Sequence, residues 1–457
     1  MRRICLLIPL LALLAWTPSA GASSRQTVTF EAPRELLSAS TRNATLDQIK
    51  SFGVTRVRQL VYWRDYAPAP DSKTKPAGFD ASNPDAYGAD KWDNLDGLIA
   101  AARDRGVSVT LTLTGPAPRW ATRDQKDNLT YPDAKEFGAF ATAIGRRYAD
   151  AVDTWSVWNE PNQPQFLKPQ YVKGKPASPK LYRRLYQAAY AGLRSTPANA
   201  KDTILIAETS PRGNSHVVAP LAFLRGMLCL DSKYRKSKSC GKLSADGYAH
   251  HAYTTSEGPR WAPPKHDDVT IGVLPRLVSA LDRAAKAGAL PARLPIYLTE
   301  FGIQTTPDAI SGVSLSKQAE YLAVAEHVAY VNPRVAAFSQ YLMSDDPPQS
   351  SGYRYGGFES GLRSANGKEK PAYNGFRLPL AVEAYGSSDV LWGLVRPQRA
   401  QTQVTIERRP KGAKTWQTLR TLTTTATGVY ALKTTHRDGQ QYRVRWTTFT
   451  GPSVRAY

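Results

Sequence analysis

Two glutamates stand where strand-end chemistry needs them. Glu160 sits in Asn159-Glu160-Pro161-Asn162, directly after the β-rich run Thr154-Trp-Ser-Val-Trp158. Glu300 begins Glu300-Phe301-Gly302, directly after Ile296-Tyr-Leu-Thr299. Pro161 cannot continue a central strand, so Glu160 lies at the exit of its run. Two carboxyl groups roughly 5–5.5 Å apart, one protonated and one ionised, can carry out a two-step substitution at an acetal carbon. The ionised group attacks the carbon, and its charge raises the proton affinity of its neighbour, which donates to the leaving oxygen. An arginine beside the attacking carboxylate would hold it ionised, and Arg58 in Val57-Arg58-Gln59 is the candidate. Tyr253 could donate to the same carboxylate.

The elements around these residues must bring them to one place. Eight β-rich runs alternate with helical patterns between about Thr27 and Arg377: Thr27–Phe30, Val54–Trp63, Val107–Leu113, Val152–Trp158, Thr203–Ala207, Asp246–Tyr253, Pro295–Thr299 and Val335–Leu342. Helical stretches at Leu95–Arg105, Glu136–Ala149, Leu181–Arg194, Leu274–Ala287 and Lys317–Tyr330 carry apolar residues at helical spacing. The first ends at Gly106 and the fourth at Gly288, as helix C-termini do. Such alternation implies βαβ units, a parallel sheet and an α/β fold: a (β/α)8 TIM barrel. A doubly wound sheet would carry a glycine-rich turn after its first strand, and Phe30-Glu31-Ala32-Pro33 has none. In a barrel, residues at the C-terminal ends of strands are the catalytic candidates. Glu160 then belongs to strand four and Glu300 to strand seven, facing one mouth.

Trp158-Asn159-Glu160-Pro161 and Thr299-Glu300-Phe301-Gly302 resemble the two signatures of glycoside hydrolase clan A, over about residues 27 to 377. The resemblance implies that Glu160 is the general acid/base and Glu300 the nucleophile of a retaining glycosidase. It implies that Arg58 is the strand-two arginine and that Asn159 bonds the sugar 2-hydroxyl. His250-His251-Ala252-Tyr253 resembles the sixth-strand segment with a His and a Tyr; His251 is the site candidate and His250 a structural one. Trp63, with Ala67-Pro68 after it, and Trp120, in Pro118-Arg-Trp120-Ala121, fit substrate-contacting loops. Within the clan the texture is similar to the β-xylosidase and iduronidase family, whose members carry a C-terminal β-sandwich. One departure stands out: the clan's strand-eight tryptophan is replaced by Ser339-Gln340-Tyr341-Leu342, so Tyr341 is the candidate floor under the sugar. Glu208, ending strand five, is open between substrate contact and helix capping. Asp345-Asp346 is open between a cation site and a solvated loop. The same intermediate would serve a transglycosylase, and a glycan-binding barrel without turnover is the non-enzymatic alternative.

The N-terminus reads as a secretory signal peptide over residues 1–22. Arg2 and Arg3 precede the apolar run Ile4–Trp16, and Ala20-Gly21-Ala22 offers small residues for cleavage. The run is too short for an ordinary membrane-spanning helix, so a secreted or cell-wall-associated protein is expected. Cys229 and Cys240 then lie in an oxidising compartment, eleven residues apart, and a local disulfide is expected. The formal net charge of +22 favours anionic partners, and for an exported protein an acidic or cell-wall glycan. No zinc spacing or nucleic-acid-binding motif accompanies the charge, and no cofactor is expected. From Leu380 the pattern changes to short alternating runs with turns at Pro410-Lys-Gly412 and Arg437-Asp-Gly439, a small all-β sandwich over 379–457 beside the catalytic barrel of 23–378. Its Trp392, Trp416 and Trp446 are either core residues or sugar platforms.

Overall fold

The computed structural model describes residues 26–456. The expected signal peptide lies outside the described residues. Eight parallel strands close into a barrel: β1 (Thr27–Glu31), β2 (Arg56–Tyr62), β3 (Ser108–Thr114), β4 (Thr154–Val157), β5 (Thr203–Thr209), β6 (Gly247–His251), β7 (Ile296–Glu300) and β8 (Val335–Tyr341), with β8 returning to β1. Around it run α1 (Arg42–Ser51), α2 (Asp93–Asp104), α3 (Ala134–Arg147), α4 (Ser178–Arg194), α5 (Pro220–Met227), α6 (Leu274–Lys286), α7 (Leu315–Tyr330) and α8 (Pro371–Arg377).

The local chemistry explains these elements. In α3 the Asp133 carboxylate caps the backbone N–H groups of Lys135 and Glu136, and Arg146 and Arg147 occupy the last turn. Its buried Phe137, Phe140, Ala141 and Ile144 follow helical spacing and face the barrel. Gly138 and Gly192 let α3 and α4 pack backbone to backbone, since a side chain on Gly192 would strike the Gly138 carbonyl. Inside the barrel, Thr29, Thr110, Thr203 and Thr299 line a polar cavity of about 310 Å³ that reaches up to Arg58. Hence β1 and β3 read Thr27-x-Thr29 and Thr110-x-Thr112 where a drier barrel would carry aliphatic layers.

After α8 the chain forms β9 (Leu380–Tyr385), β10 (Ser388–Leu394), β11 (Gln403–Arg409), β12 (Gln417–Thr423), β13 (Val429–Thr435) and β14 (Gln441–Trp446). The order β9-β10-β13 makes one antiparallel sheet and β12-β11-β14 the centre of another, with Val382, Leu391, Val404, Ile406, Tyr442 and Val444 buried between them. This sandwich packs on α7 and α8. The Arg396 guanidinium donates to Glu326 Oε2 at 2.5 Å and to the Phe376 carbonyl at 2.6 Å, fully buried. Trp392 stacks on His327 with ring centroids 4.9 Å apart, so it serves domain packing. Trp446 stacks on Phe449, and Trp416 lies under the Arg409 and Arg443 guanidinium groups. Cys229 and Cys240 form a disulfide, Cα atoms 6.1 Å apart, closing the basic loop after α5. No helix among the described residues is long and apolar enough to cross a membrane.

Candidate active site

Arg58, an inward residue of β2, is the hub at the C-terminal mouth of the barrel. It is 1% exposed, and its donors point to four strands at once. Nη1 donates to Glu31 Oε2 at 2.6 Å and to Glu300 Oε2 at 3.2 Å. Nη2 donates to Asn159 Oδ1 and lies against Glu208 Oε1, both at 2.8 Å, while Nε donates to Thr112 Oγ1 at 3.0 Å. This is a use of the planar fork that a lysine could not reproduce.

His251 is the second cation of the site. Its Nδ1 lies 2.9 Å from Glu160 Oε1 and 3.6 Å from Glu300 Oε2, and its Nε2 lies 3.7 Å from Glu208 Oε1. The first two distances together cap the separation of those glutamate oxygens at about 6.5 Å. Tyr253 donates its hydroxyl to Glu300 Oε1 at 2.6 Å. Behind the cluster, Ser156 of β4 donates to Glu208 Oε2 at 2.8 Å. His250 points away, to Thr209 and the Val269 carbonyl.

The backbone is bent to make this arrangement. The β5–β6 register shifts between Ala207 and Thr209, where Ala207 and Glu208 take φ of 86° and 55°. This bulge turns the Glu208 side chain into the barrel. Trp158 and Glu160 also hold positive φ, 68° and 39°, at the exit of β4. Strained non-glycine backbone of this kind clusters at functional sites. Gly302 explains its place in the second motif, because a side chain there would run into the Tyr341 carbonyl at the exit of β8.

Electrostatics sorts the four carboxyls. Burial would raise Glu208, but the Arg58 charge, the His251 charge and the hydrogen bond from Ser156 outweigh it and hold it near 2. Burial pushes Glu31 up to about 8 against the pull of Arg58. Burial likewise raises Glu160, opposed by its hydrogen bond to His251. His251 is disfavoured as a cation by burial, yet Glu300, Glu160 and Glu208 lift it to about 10.

Of the residues expected from sequence, Arg58, Asn159, Glu160, His251, Tyr253 and Glu300 come together in one network. Tyr341 ends β8 beside it, its ring edge-on to Phe358 at 4.9 Å. Trp63 is corrected. Trp63 is 0% exposed, wedged among Phe137, Phe140 and Trp120 between β2 and α3, so it cannot stack on a sugar. Trp120 packs against Trp63 and Phe79 and donates its ring N–H to the Pro68 carbonyl. Glu208 is no helix cap, since α5 begins only at Pro220. Asp345 is not a solvated loop residue but is paired at 2.6 Å with the buried Lys370. Sequence reasoning did not single out Glu31, Thr112, Ser156 or Phe358. Phe358 is 37% exposed and touches both Tyr253 and Tyr341. The sequence marks Glu31 only by its place at the end of the first strand.

A closed (β/α)8 barrel with paired strand-four and strand-seven glutamates defines a glycosidase of clan A. The family model for cellulase, glycosyl hydrolase family 5, matches residues 20–332, and the chain belongs to that family; it is a retaining glycoside hydrolase. No curated protein matches its sequence. Among solved structures, it is similar in fold to a family 39 glycoside hydrolase from the gut symbiont Bacteroides cellulosilyticus WH2, with 16% identity, TM-score 0.53, and 90% of this chain and 81% of that one covered. A family 39 β-xylosidase from Caulobacter crescentus aligns at 15% identity and TM-score 0.52, over 91% of this chain and 97% of that one.

Proposed function

We propose that the protein is exported and hydrolyses a β-linked oligo- or polysaccharide by double displacement, with Glu300 as nucleophile and Glu160 as acid/base. Glu300 attacks the anomeric carbon while the bond to the leaving oxygen breaks and Glu160 supplies that oxygen's proton. Water then attacks the glycosyl ester, Glu160 takes its proton, and Glu300 is released. During the first step the negative charge passes from Glu300 to Glu160. The observation that carries this reading is the position of His251 Nδ1, within 3.6 Å of both carboxyls. A cation there stabilises the charge before and after the transfer. It also bounds the two facing oxygens at about 6.5 Å, below the bulk of the roughly 6.5–9.5 Å range of inverting enzymes.

The supporting residues fit the same scheme. Arg58 and Tyr253 orient the Glu300 carboxylate through separate oxygens. Asn159 spends its carbonyl oxygen on Arg58, leaving its amide N–H groups for the sugar 2-hydroxyl. Tyr341 and Phe358 supply the aromatic surface at the mouth. The net charge of +22 and the leader-like N-terminus support an anionic or cell-wall glycan met outside the cell. The test is proton NMR of the first product released from an aryl glycoside. The retained anomer is expected, with turnover lost in Glu300→Ala. An inverted anomer, or full activity in that variant, overturns the reading. Product analysis at high acceptor concentration separates hydrolysis from transglycosylation.

A further inference from the structure

We propose that Glu31 is a positioning residue that acts through Arg58, holding Nη1 beside the nucleophile as an uncharged hydrogen-bond acceptor. Glu31 ends β1, in register with Tyr341 of β8, and is 1% exposed. Its Oε2 accepts from Arg58 Nη1 at 2.6 Å, the same nitrogen that reaches Glu300 Oε2 at 3.2 Å. Its Oε1 is buried with no hydrogen-bond partner. A bare carboxylate oxygen away from water is costly, whereas the neutral acid leaves no charge unsolvated.

A charge count over the cluster leads to the same state. Two cations, Arg58 and His251, face four carboxyls. Glu208 is ionised, held near 2, and Glu300 must be ionised to attack. Those two balance the cations, and Glu160 must keep its proton to act as an acid. A charged Glu31 would leave the buried site with excess negative charge. The groups facing it are Arg58 and Tyr62 of β2, Glu208 of β5, His251 of β6 and Tyr253 just after that strand, Glu300 of β7 and Tyr341 of β8. Burial dominates among them and lifts Glu31 to about 8. While neutral, Glu31 fixes the guanidinium without drawing its charge from Glu300. Above about pH 8 it ionises, competes for Nη1 and sets a like charge beside the nucleophile.

The kinetic test rests on the reading of Glu300 as nucleophile. It uses an aryl glycoside with a leaving group good enough to need no proton, so that kcat/KM does not follow Glu160. Wild-type kcat/KM is expected to fall on passing about pH 8, and Glu31→Gln, which cannot ionise, to show a flat alkaline limb. At neutral pH Glu31→Gln should lose about 3-fold, and Glu31→Ala about 10-fold more, because only the amide keeps an acceptor for Nη1. Glu31→Gln retaining the wild-type alkaline fall, or being as impaired as Glu31→Ala, overturns the proposal. A second measurement does not need turnover or a Glu31 variant. Glu359 is also lifted, to about 7, so infrared spectra are taken on a Glu160→Gln/Glu359→Gln protein. A protonated-carboxyl stretch persisting at neutral pH and vanishing above about pH 8 supports the proposal. Absence of that band overturns it. If no glycoside is hydrolysed, the hydrolase reading fails while the infrared titration still decides the state of Glu31.

Discussion

Glu208 offers a stability prediction whose size follows from the site. It is 0% exposed, and it sits near 2 in the folded protein against an ordinary 4.5. That drop from 4.5 to about 2, at roughly 1.4 kcal/mol for each factor of ten in proton affinity, corresponds to about 3–3.5 kcal/mol of folding stability at neutral pH. Breaking a buried ion pair by neutralising one partner costs a comparable amount, about 3–5 kcal/mol. The folded value lies below the unfolded one, so this stabilisation is present above about 4.5 and is lost as pH falls towards 2. Glu208→Gln keeps the shape but removes the charge facing Arg58 Nη2. Guanidinium unfolding followed by tryptophan fluorescence should show the variant about 3 kcal/mol less stable at neutral pH, with the gap narrowing steadily as pH drops below about 4.5. A gap under about 1 kcal/mol, or one that stays constant down to about pH 2.5, would refute the placement of an ionised Glu208 against Arg58.

Three further outcomes follow from the same geometry. His251, lifted from 6.5 to about 10, should give imidazolium nitrogen shifts by NMR throughout the neutral range, its charge lost only as pH rises through 10, whereas the stability tied to it is full below about 6.5, declines from there and is gone above 10; titration near the ordinary histidine value would contradict this. Tyr253→Phe removes a 2.6 Å hydrogen bond to Glu300 and should lower kcat/KM by about 10- to 100-fold, the worth of a bond to a charged group, with unfolding little changed. Trp63→Ala should cost about 3–5 kcal/mol of stability as a core cavity, with KM of the folded fraction unmoved; a KM rise alone would restore Trp63 to the substrate site.

The sequence made the barrel and the reacting pair readable because their signals are local. Each strand end carries its own motif, and Pro161 and Gly302 mark where the strands stop. Arg58 was readable through the resemblance, from Val57-Arg58-Gln59 in the second strand. Glu31 was not, since Phe30-Glu31-Ala32-Pro33 looks like any strand exit until Arg58 is seen 2.6 Å away. Glu208 stayed ambiguous because its inward turn depends on a bulge at Ala207–Thr209, a register property that no residue type announces. Trp63 misled because an aromatic after a barrel strand can face either the mouth or the helical layer. Trp63 opens a short helical turn that swings it outward against α3. The helix α1 escaped because its buried face mixes Arg42 and Thr45 with Leu46 and Ile49.

The most direct test of the account is to trap the glycosyl-enzyme with an activated fluorinated glycoside of a turned-over sugar and map the labelled peptide by mass spectrometry. The account predicts one label per molecule, on Glu300 in the peptide spanning Thr299-Glu300-Phe301-Gly302. A label on Glu31, Glu160 or Glu208, or turnover of the glycoside with no covalent intermediate, would contradict it.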